Sequence, residues 1–354
     1  MGGKSAEHEI SLRSASNVIK AADRDKYELV LIGIDKKGRW FLINDHLPFL
    51  SDKFPESLKC DDSNSATFVM GEKGKIAGLN NKNISIKVDV VFPVLHGTFG
   101  EDGTVQGLLR LADVPFVGPG VLGSAVGMDK DVMKRLLENA GLPIANFLVL
   151  EKDILPKPEF EEIEKKLGLP FFVKPANMGS SVGVNKVKNK EEFRLAVTDA
   201  FRYDNKIILE EAIAGREVEC SVLGNENPQA SAVGEVIPKD DFYSYNAKYI
   251  DENGAVLRIP AEISKEAEKN VQKAAIKTFE ALCCEGMGRV DCFLRENGNV
   301  VVNEINTIPG FTSISMYPKL WETSGIKYGN LIDRLIELAF ERYRKENTLK
   351  TDYN

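Results

Sequence analysis

The sequence predicts a protein of mixed α/β and α+β class, and three observations support this. The N-terminal third mixes short apolar runs of strand length with stretches of helical periodicity. Between residues 206 and 306 strands predominate, which favours a mainly antiparallel sheet. Within that sheet, Asn297-Gly298 separates two β-rich runs and is a strong hairpin signal. A chain of 354 residues is long enough for about two or three domains.

The N-terminal third is predicted to contain two buried strands and one helix. Residues 27–34 and 88–95 are apolar runs of strand length. Residues 10–22 carry apolar side chains at helical spacing, and Ser5 ahead of them is of a type that caps helices. Residues 44–87 are polar, so we expect an irregular excursion with a short hairpin.

The later elements follow from periodicity and from boundary signals. A helix over 128–139 ends before Gly141 and Pro143, the usual C-terminal pattern. Further helices are predicted at residues 191–201, 265–283 and 328–345. Further strands are predicted at residues 171–175, 206–211, 217–223, 232–237 and 255–260, followed by the hairpin over 289–306.

Composition excludes several classes of protein. A net charge of −7 argues against nucleic acid as a partner, because phosphate backbones are bound by basic surfaces. No apolar run reaches the ~18 residues that span a bilayer, and no charged-then-apolar leader opens the chain, so we expect no membrane association and no export. Five cysteines without CxxC spacing indicate reduced thiols in a cytoplasm. Three histidines make a zinc hydrolase improbable.

The first residues pose a separate question. The chain opens with a glycine-rich turn, Met1-Gly-Gly-Lys-Ser5, and no strand precedes it. A strand–turn–helix unit normally begins with that strand. We therefore expect either a start upstream or a truncated product, with an N-terminal sheet that lacks one member.

The hairpin places polar side chains on one face. If Asn297-Gly298 forms the turn, Asp291 lies opposite Glu304, and Arg289 lies opposite Asn306. Facing Cβ atoms are about 4.5–5.5 Å apart, so two carboxylates there repel each other unless a cation intervenes. Oxygen ligands without His or Cys suit Mg²⁺ or Mn²⁺. The simpler interpretation is a solvated hairpin whose acids face each other by chance.

The next pair on that face is predicted to be apolar. Phe293 would lie opposite Val302 and could pack under a flat ring. A metal site beside an apolar slot is typical of nucleotide binding.

Two lysines and a glycine-rich loop are candidate phosphate ligands. Lys174 ends a predicted strand and is followed by the loop Gly179-Ser180-Ser181-Val182-Gly183, whose backbone N–H groups can approach phosphate oxygens. The lysine precedes the glycines, so this is not a Walker A loop. Lys130 stands at a predicted helix start. A plain turn and a solvated lysine are the alternatives.

The end of the strand over 206–211 is a candidate adenine site. The backbone of the segment containing Glu210, Glu211 and Ile213 could pair with an adenine edge, and Glu217 could reach ribose hydroxyls. Each of these acids can also be an ordinary strand-end residue.

Taken in order, these residues resemble the ATP-grasp superfamily and, more narrowly, the D-alanine–D-alanine ligase family. The narrower resemblance covers nearly the whole chain. It is carried by the segments at residues 3–11 (GKSAEHEIS), 95–103 (LHGTFGEDG), 243–249 (YSYNAKY) and 306–313 (NTIPGFTS). It implies a three-domain ATP-grasp fold: a parallel-sheet N-terminal domain over 1–118, a central subdomain over 119–210 and a C-terminal domain over 211–354. The nucleotide would bind between the last two.

The resemblance also implies the reaction. The carboxylate of one D-alanine would attack the γ-phosphorus of ATP, and the amine of a second would displace phosphate from the acylphosphate, giving a peptidoglycan precursor. Asp291, Glu304 and Asn306 would hold two Mg²⁺ or Mn²⁺ ions. The implied ATP ligands are Lys130, Lys174, Gly179, Ser181, Glu210, Glu211, Ile213, Glu217, Phe242 and Phe293.

The remaining implied roles concern the substrates. Arg289 and the N–H of Gly310 would receive the tetrahedral oxyanion. Glu7 would pair with the first ammonium, and His96 would lie near the first carboxylate. The second carboxylate would bind Ser315 and Met316, with Lys248 also contacting substrate. Ser180, Tyr249 and Glu7 would form a hydrogen-bonded trio that closes a lid over the site.

Several alternatives stay open at this point. Tyr249 disfavours a D-lactate ligase, whereas a D-alanine–D-serine ligase is less firmly excluded. Another ATP-grasp carboxylate–amine ligase, or a catalytically impaired ATP-binding product of N-terminal truncation, would also keep the nucleotide residues. The resemblance further implies a homodimer.

Overall fold

The part of the chain that the structure describes folds into four β-sheets with helices packed against them. The structure is a computed structural model, and it describes residues 1–51, 57–58, 60–155, 157–238 and 255–350. Phe242, Lys248 and Tyr249, to which roles were assigned above, lie outside the described residues.

The described strands are short except in the C-terminal sheet. They are β1 (Leu31–Ile34), β2 (Trp40–Ile43), β3 (Ala66–Phe68), β4 (Lys75–Gly78), β5 (Ser85–Lys87), β6 (Phe147–Glu151), β7 (Phe171–Pro175), β8 (Asn185–Val187), β9 (Lys206–Glu211), β10 (Arg216–Gly224), β11 (Gln229–Pro238), β12 (Ala255–Arg258), β13 (Gly286–Leu294) and β14 (Val300–Asn306).

The helices include most of those predicted and several more. They are α1 (His8–Ala21), α2 (Leu47–Leu50), α3 (Thr104–Leu111), α4 (Val121–Met128), α5 (Lys130–Asn139), α6 (Phe160–Leu167), α7 (Lys190–Ala200), α8 (Lys265–Ala281), α9 (Met316–Thr323) and α10 (Tyr328–Glu346). Within the described residues, none of them is both long and apolar enough to cross a bilayer.

The largest sheet is antiparallel, as predicted. Its strand order is β12-β11-β10-β13-β14, and α8 covers one face through buried Val271, Ala275 and Phe279. The opposite face carries the polar side chains of the hairpin. A second antiparallel sheet, β6-β9-β7-β8, shares its apolar core with α6 and α7.

The N-terminal region differs from the predicted strands. Residues 88–95 do not form a strand; Val91 alone makes an isolated parallel bridge, to Phe116. A cavity of about 700 Å³ lies between this segment and residues 29–34, and apolar side chains from both line it. Residues 1–3 run beside β1, where Gly2 bridges Ile34 in parallel.

The helix predicted over 128–139 is confirmed as α5, which begins two residues later than predicted, at Lys130. Asp129 separates α4 from α5 in an extended conformation (φ −81°, ψ 103°), and its carboxylate accepts hydrogen bonds from the N–H groups of Asp131 and Val132. An aspartate that caps this well ends one helix and starts the next. Lys130 is consequently the first residue of α5, and so stands at a helix start, as predicted.

Part of the proposed central subdomain packs against the C-terminal sheet. Met133 and Leu137 of α5 pack in the core beneath β10 and β13, and Ile144 bridges Val302. The divisions at 118 and 210 remain predictions.

Candidate active site

A cavity of about 380 Å³ brings most of the predicted residues together. Residues of both larger sheets and of the loops that follow β7 and β14 line it. The predicted residues among them are Lys130, Lys174, Gly179, Ser180, Ser181, Glu210, Glu211, Ile213, Glu217, Arg289, Asp291, Phe293, Glu304, Asn306, Gly310, Ser315 and Met316.

The hairpin register is confirmed at the polar end. Asp291 pairs with Glu304, and Arg289 pairs with Asn306. The predicted pair of Phe293 with Val302 is wrong, since Phe293 lies opposite Val301.

Two one-residue offsets explain this result. Arg295 N–H donates to the Asn299 carbonyl at 2.9 Å, so the turn contains three residues, 296–298, rather than two. A β-bulge at Asn303 then restores the expected register before Glu304. Phe293 still lines the cavity.

Positive side chains already neutralise the acidic end of the hairpin. Arg289 binds Asp291 through two nitrogens, with Nε–Oδ1 at 2.8 Å and Nη2–Oδ2 at 2.7 Å. Asn306 Nδ2 donates to Oδ2 of the same carboxylate at 3.1 Å. The Nζ of Lys130 lies 3.6 Å from Glu304 Oε2. The repulsion expected between the two acids is therefore offset within the protein itself.

The donor set fits a hard divalent cation that is partly bound by substrate. Among the residues that the structure describes, no three Asp, Glu, His or Cys side chains are grouped closely enough to hold a metal ion alone. Asp291, Glu304 and the Asn306 amide provide oxygen atoms only, so phosphates and water would have to complete the coordination.

A buried ion triad lies at the cavity, around Glu210. The Glu210 carboxylate binds Lys174 Nζ at 2.8 Å and Lys134 Nζ at 2.9 Å. Burial by itself would raise the pKa of Glu210, but the charges of the two lysines outweigh it and lower that pKa to about 2. Lys134, only 1% exposed, was missed because a lysine within a helix usually indicates a solvated face. Its position four residues after Lys130 places it on the same face of the helix, and that spacing could have identified it.

The remaining adenine-site candidates differ in their contacts. The Glu211 carboxylate accepts hydrogen bonds from the N–H and the side-chain amide of Asn146, at 2.8 and 3.0 Å. Glu217 pairs with Phe293 across β10 and β13, so its side chain stands beside the aromatic ring. Ile213 lines the cavity.

The glycine-rich loop contacts Glu7, close to the N-terminus of the chain. Ser180 and Ser181 both have left-handed backbone (φ 52° and 60°), and Ser180 Oγ donates to the Glu7 carboxylate. A Cβ on Gly179 would lie 3.1 Å from Glu7 Oε2, so glycine permits this close approach. Two members of the predicted trio thus meet, and the third, Tyr249, is outside the described residues.

A second buried acid stands near Glu7. Glu101 Oε1 accepts from Gly97 N–H at 2.7 Å. Burial, together with the charge of Glu7, raises the pKa of Glu101 well above its ordinary value. Sequence reasoning assigned Glu101 no role, although it lies within the segment at 95–103.

His96 joins α1 to the loop after β14. Its Nδ1 lies 3.0 Å from the Ile308 carbonyl and must donate, so Nε2 accepts from Ser14 Oγ, also at 3.0 Å. Ser14 Oγ in turn accepts from Phe311 N–H at 3.2 Å. Burial lowers the pKa of His96 to about 4, so the ring is neutral at pH 7. One ring nitrogen therefore bonds directly to the loop that carries Gly310, at Ile308, and the other reaches that loop through Ser14.

The start of α9 lies at the cavity. Ser315 is its N-cap, and Met316 is its first residue. Ser315 Oγ accepts from Thr312 N–H at 3.0 Å, and a Cβ on Gly310 would lie 2.7 Å from that same oxygen. Glycine at 310 therefore leaves room for the Ser315 hydroxyl, and both Ser315 and Met316 line the cavity.

Comparisons with known proteins show which family the chain resembles. Residues 1–119 match the family model described as D-ala D-ala ligase N-terminus, and residues 136–337 match D-ala D-ala ligase C-terminus. A D-alanine--D-alanine ligase of Oceanobacillus iheyensis is 52% identical over 99% of this chain and 96% of its own length.

Two solved structures show the same fold. The D-alanine-D-alanine ligase of Coxiella burnetii has a TM-score of 0.85 at 40% identity, covering 98% of this chain and 94% of that one. The VanG D-Ala:D-Ser ligase of Enterococcus faecalis has a TM-score of 0.83 at 37% identity, covering 96% of this chain and 97% of that one.

The Lys134→Met substitution tests the buried triad. We expect it to lower the free energy of unfolding by about 2 kcal/mol or more, because Glu210 would lose one of its two buried cations. The matched control is Lys345→Met, which breaks the exposed pair with Glu226 and should change stability by less than ~0.5 kcal/mol. Equal effects of the two variants in urea unfolding would contradict the role given to Lys134.

The His96→Gln substitution tests the neutral histidine. Because the folded state holds the pKa of His96 at about 4, against 6.5 ordinarily, the unfolded chain binds more protons between these values. This contribution to stability is present above pH 6.5 and is lost as pH falls towards 4. The variant should show a shallower decline in free energy of unfolding between pH 7 and pH 5, with His46→Gln as control. Identical slopes for wild type and His96→Gln would contradict the assignment.

Proposed function

The chain belongs to the D-alanine–D-alanine ligase family, and we propose that it uses ATP to join two molecules of D-alanine into the dipeptide of peptidoglycan precursors. The observation that supports this most strongly is the arrangement around one cavity. An oxygen-donor hairpin, two lysines and a glycine-rich loop lie there beside the Ser180–Glu7 contact with the N-terminal domain.

The first step is phosphoryl transfer. An oxygen of the first D-alanine carboxylate attacks the γ-phosphorus of ATP, the bond to the β-phosphate oxygen breaks, and acylphosphate and ADP result. The reacting groups are all anions, so the barrier falls with the positive charge and N–H donors placed around them. Lys130, Lys174 and the loop at 179–183 provide these.

Divalent ions belong to this step. We propose that Asp291, Glu304 and Asn306 hold two Mg²⁺ or Mn²⁺ ions. Such ions neutralise charge on the β- and γ-phosphates. The all-oxygen donor set supports the choice of metal.

In the second step, the amine of the second D-alanine attacks the acylphosphate carbonyl and phosphate leaves. The tetrahedral intermediate carries an oxyanion, and Arg289 with the N–H of Gly310 is proposed to receive it. The start of α9, at Ser315 and Met316, would take the second carboxylate. Glu7 would pair with the first ammonium, and His96 would position the Gly310 loop from behind.

The finer features of the enzyme follow the family resemblance. We propose a homodimer that works in the cytoplasm, with roles for Phe242 in ATP binding, for Lys248 in substrate binding and for Tyr249 in catalysis. The reduced cysteines expected from the sequence and the absence of a spanning helix among the described residues are consistent with that location.

D-serine is the second candidate for the second substrate. It is favoured by the likeness to the VanG D-Ala:D-Ser ligase. The segment Asn246-Ala-Lys-Tyr249, which resembles the D-alanine type of lid, and the 52% identity to a D-alanine--D-alanine ligase favour D-alanine.

Phosphate release from ATP in the presence of Mg²⁺ tests the proposal. We expect release that depends on D-alanine, with L-alanine as the stereochemical control and D-serine giving much lower turnover beside D-alanine. Comparable turnover with D-serine would favour the second candidate. ATP binding without any D-alanine-dependent release would contradict the ligase and support the impaired ATP-binding alternative.

A further inference from the structure

Three carboxylates, not two, stand in one row across the C-terminal sheet. Glu219 of β10 pairs with Asp291 of β13, and Asp291 pairs with Glu304 of β14. Residues directly opposite each other in neighbouring strands point to the same face, and all three line the cavity. The sequence reasoning found only the two acids of the hairpin.

Arg289 lies between two of these acids. Its Nε is 2.8 Å from Asp291 Oδ1 and 2.9 Å from Glu219 Oε2, and its Nη2 is 2.7 Å from Asp291 Oδ2. Glu219 is buried, so its carboxylate needs a cation close by, and Arg289 provides it. One guanidinium is thus shared by a carboxylate from its own strand and a carboxylate from the neighbouring strand.

Asp291 cannot serve Arg289 and a metal ion equally. Both of its oxygens accept hydrogen bonds from Arg289, and Oδ2 also accepts one from Asn306. These three hydrogen bonds occupy most of the roughly four lone-pair sites of the carboxylate, and a divalent cation bound to it would repel the guanidinium. A second carboxylate is then needed to keep Arg289 in place.

We propose that Glu219 is the positioning residue that holds Arg289 in the active site while Asp291 is engaged by metal. This inference rests on the proposed function, which assigns the metal ions to Asp291 and the oxyanion to Arg289. Glu219 acts through Arg289 and contacts neither substrate. An arginine anchored at Nε leaves its terminal nitrogens available to a developing oxyanion.

The Glu219→Gln substitution tests this through kinetics. It preserves the shape of the side chain and removes its charge. We expect kcat to fall by about 10- to 100-fold, while the KM for ATP and the half-saturating Mg²⁺ concentration stay within about twofold. The matched control is Glu235→Gln on the adjacent strand β11, where another buried glutamate binds an arginine, Arg216, at 2.6 and 2.7 Å. The control should leave kcat unchanged.

A double-mutant cycle shows whether Glu219 acts through Arg289. In an Arg289→Ala background the additional effect of Glu219→Gln on kcat should vanish, because the group that Glu219 positions is gone. Independent, multiplicative effects would overturn the proposal. A large rise in the half-saturating Mg²⁺ concentration would also overturn it, since Glu219 would then be a metal ligand.

An NMR measurement separates this inference from the proposed function, because it needs no turnover. In protein with ¹⁵N-labelled arginine, the Arg289 Nε–H signal, assigned by its loss in Arg289→Lys, should persist when Mg²⁺ and ADP are added. In Glu219→Gln the same addition should broaden or shift it to the position of solvent-exposed arginines. An Arg289 signal that behaves identically in both proteins would overturn the role of Glu219, whether or not the enzyme releases phosphate.

Discussion

The active site depends on like charges that the sheet forces together. Backbone pairing fixes Glu219, Asp291 and Glu304 side by side, and the strands cannot move apart without breaking their hydrogen bonds. Carboxylates at this spacing destabilise a sheet unless cations lie between them. Arg289 and Lys130 supply that charge in the free protein. The stability of this face therefore depends on Arg289 and Lys130.

Around Glu210 the arrangement of charges is the opposite one, because a single carboxylate lies between two lysines. Lys174, a candidate phosphate ligand, is held by Glu210, and Lys134 keeps Glu210 ionised from the other side. A lysine that is already ordered loses less side-chain freedom when it binds phosphate. Contacts from the N-terminal region complete the site: Glu7 meets Ser180, and His96 with Ser14 supports the loop after β14.

Local signals in the sequence predicted much of this arrangement. Contacts between residues far apart in the sequence were not predicted. The Asn297-Gly298 turn was sufficient to place Asp291 opposite Glu304, although a three-residue turn and the bulge at Asn303 happened to cancel. Glu219 was missed because its partner strand is about 70 residues distant, and no turn chemistry encodes such a pairing. Lys134 was missed because burial of a helical lysine depends on what packs against it. The start of α5 was predicted two residues too early, although Asp129 is of a type that caps helices strongly.

We propose above that the hairpin face binds divalent cations together with nucleotide. Titration of the protein with Mn²⁺, followed by electron paramagnetic resonance in the presence of a non-hydrolysable ATP analogue, measures this directly. We expect two bound ions per chain with the analogue. In Glu304→Gln we expect fewer ions to bind, and to bind more weakly. Equal numbers and affinities in wild type and Glu304→Gln would contradict it, because the metal would then bind elsewhere.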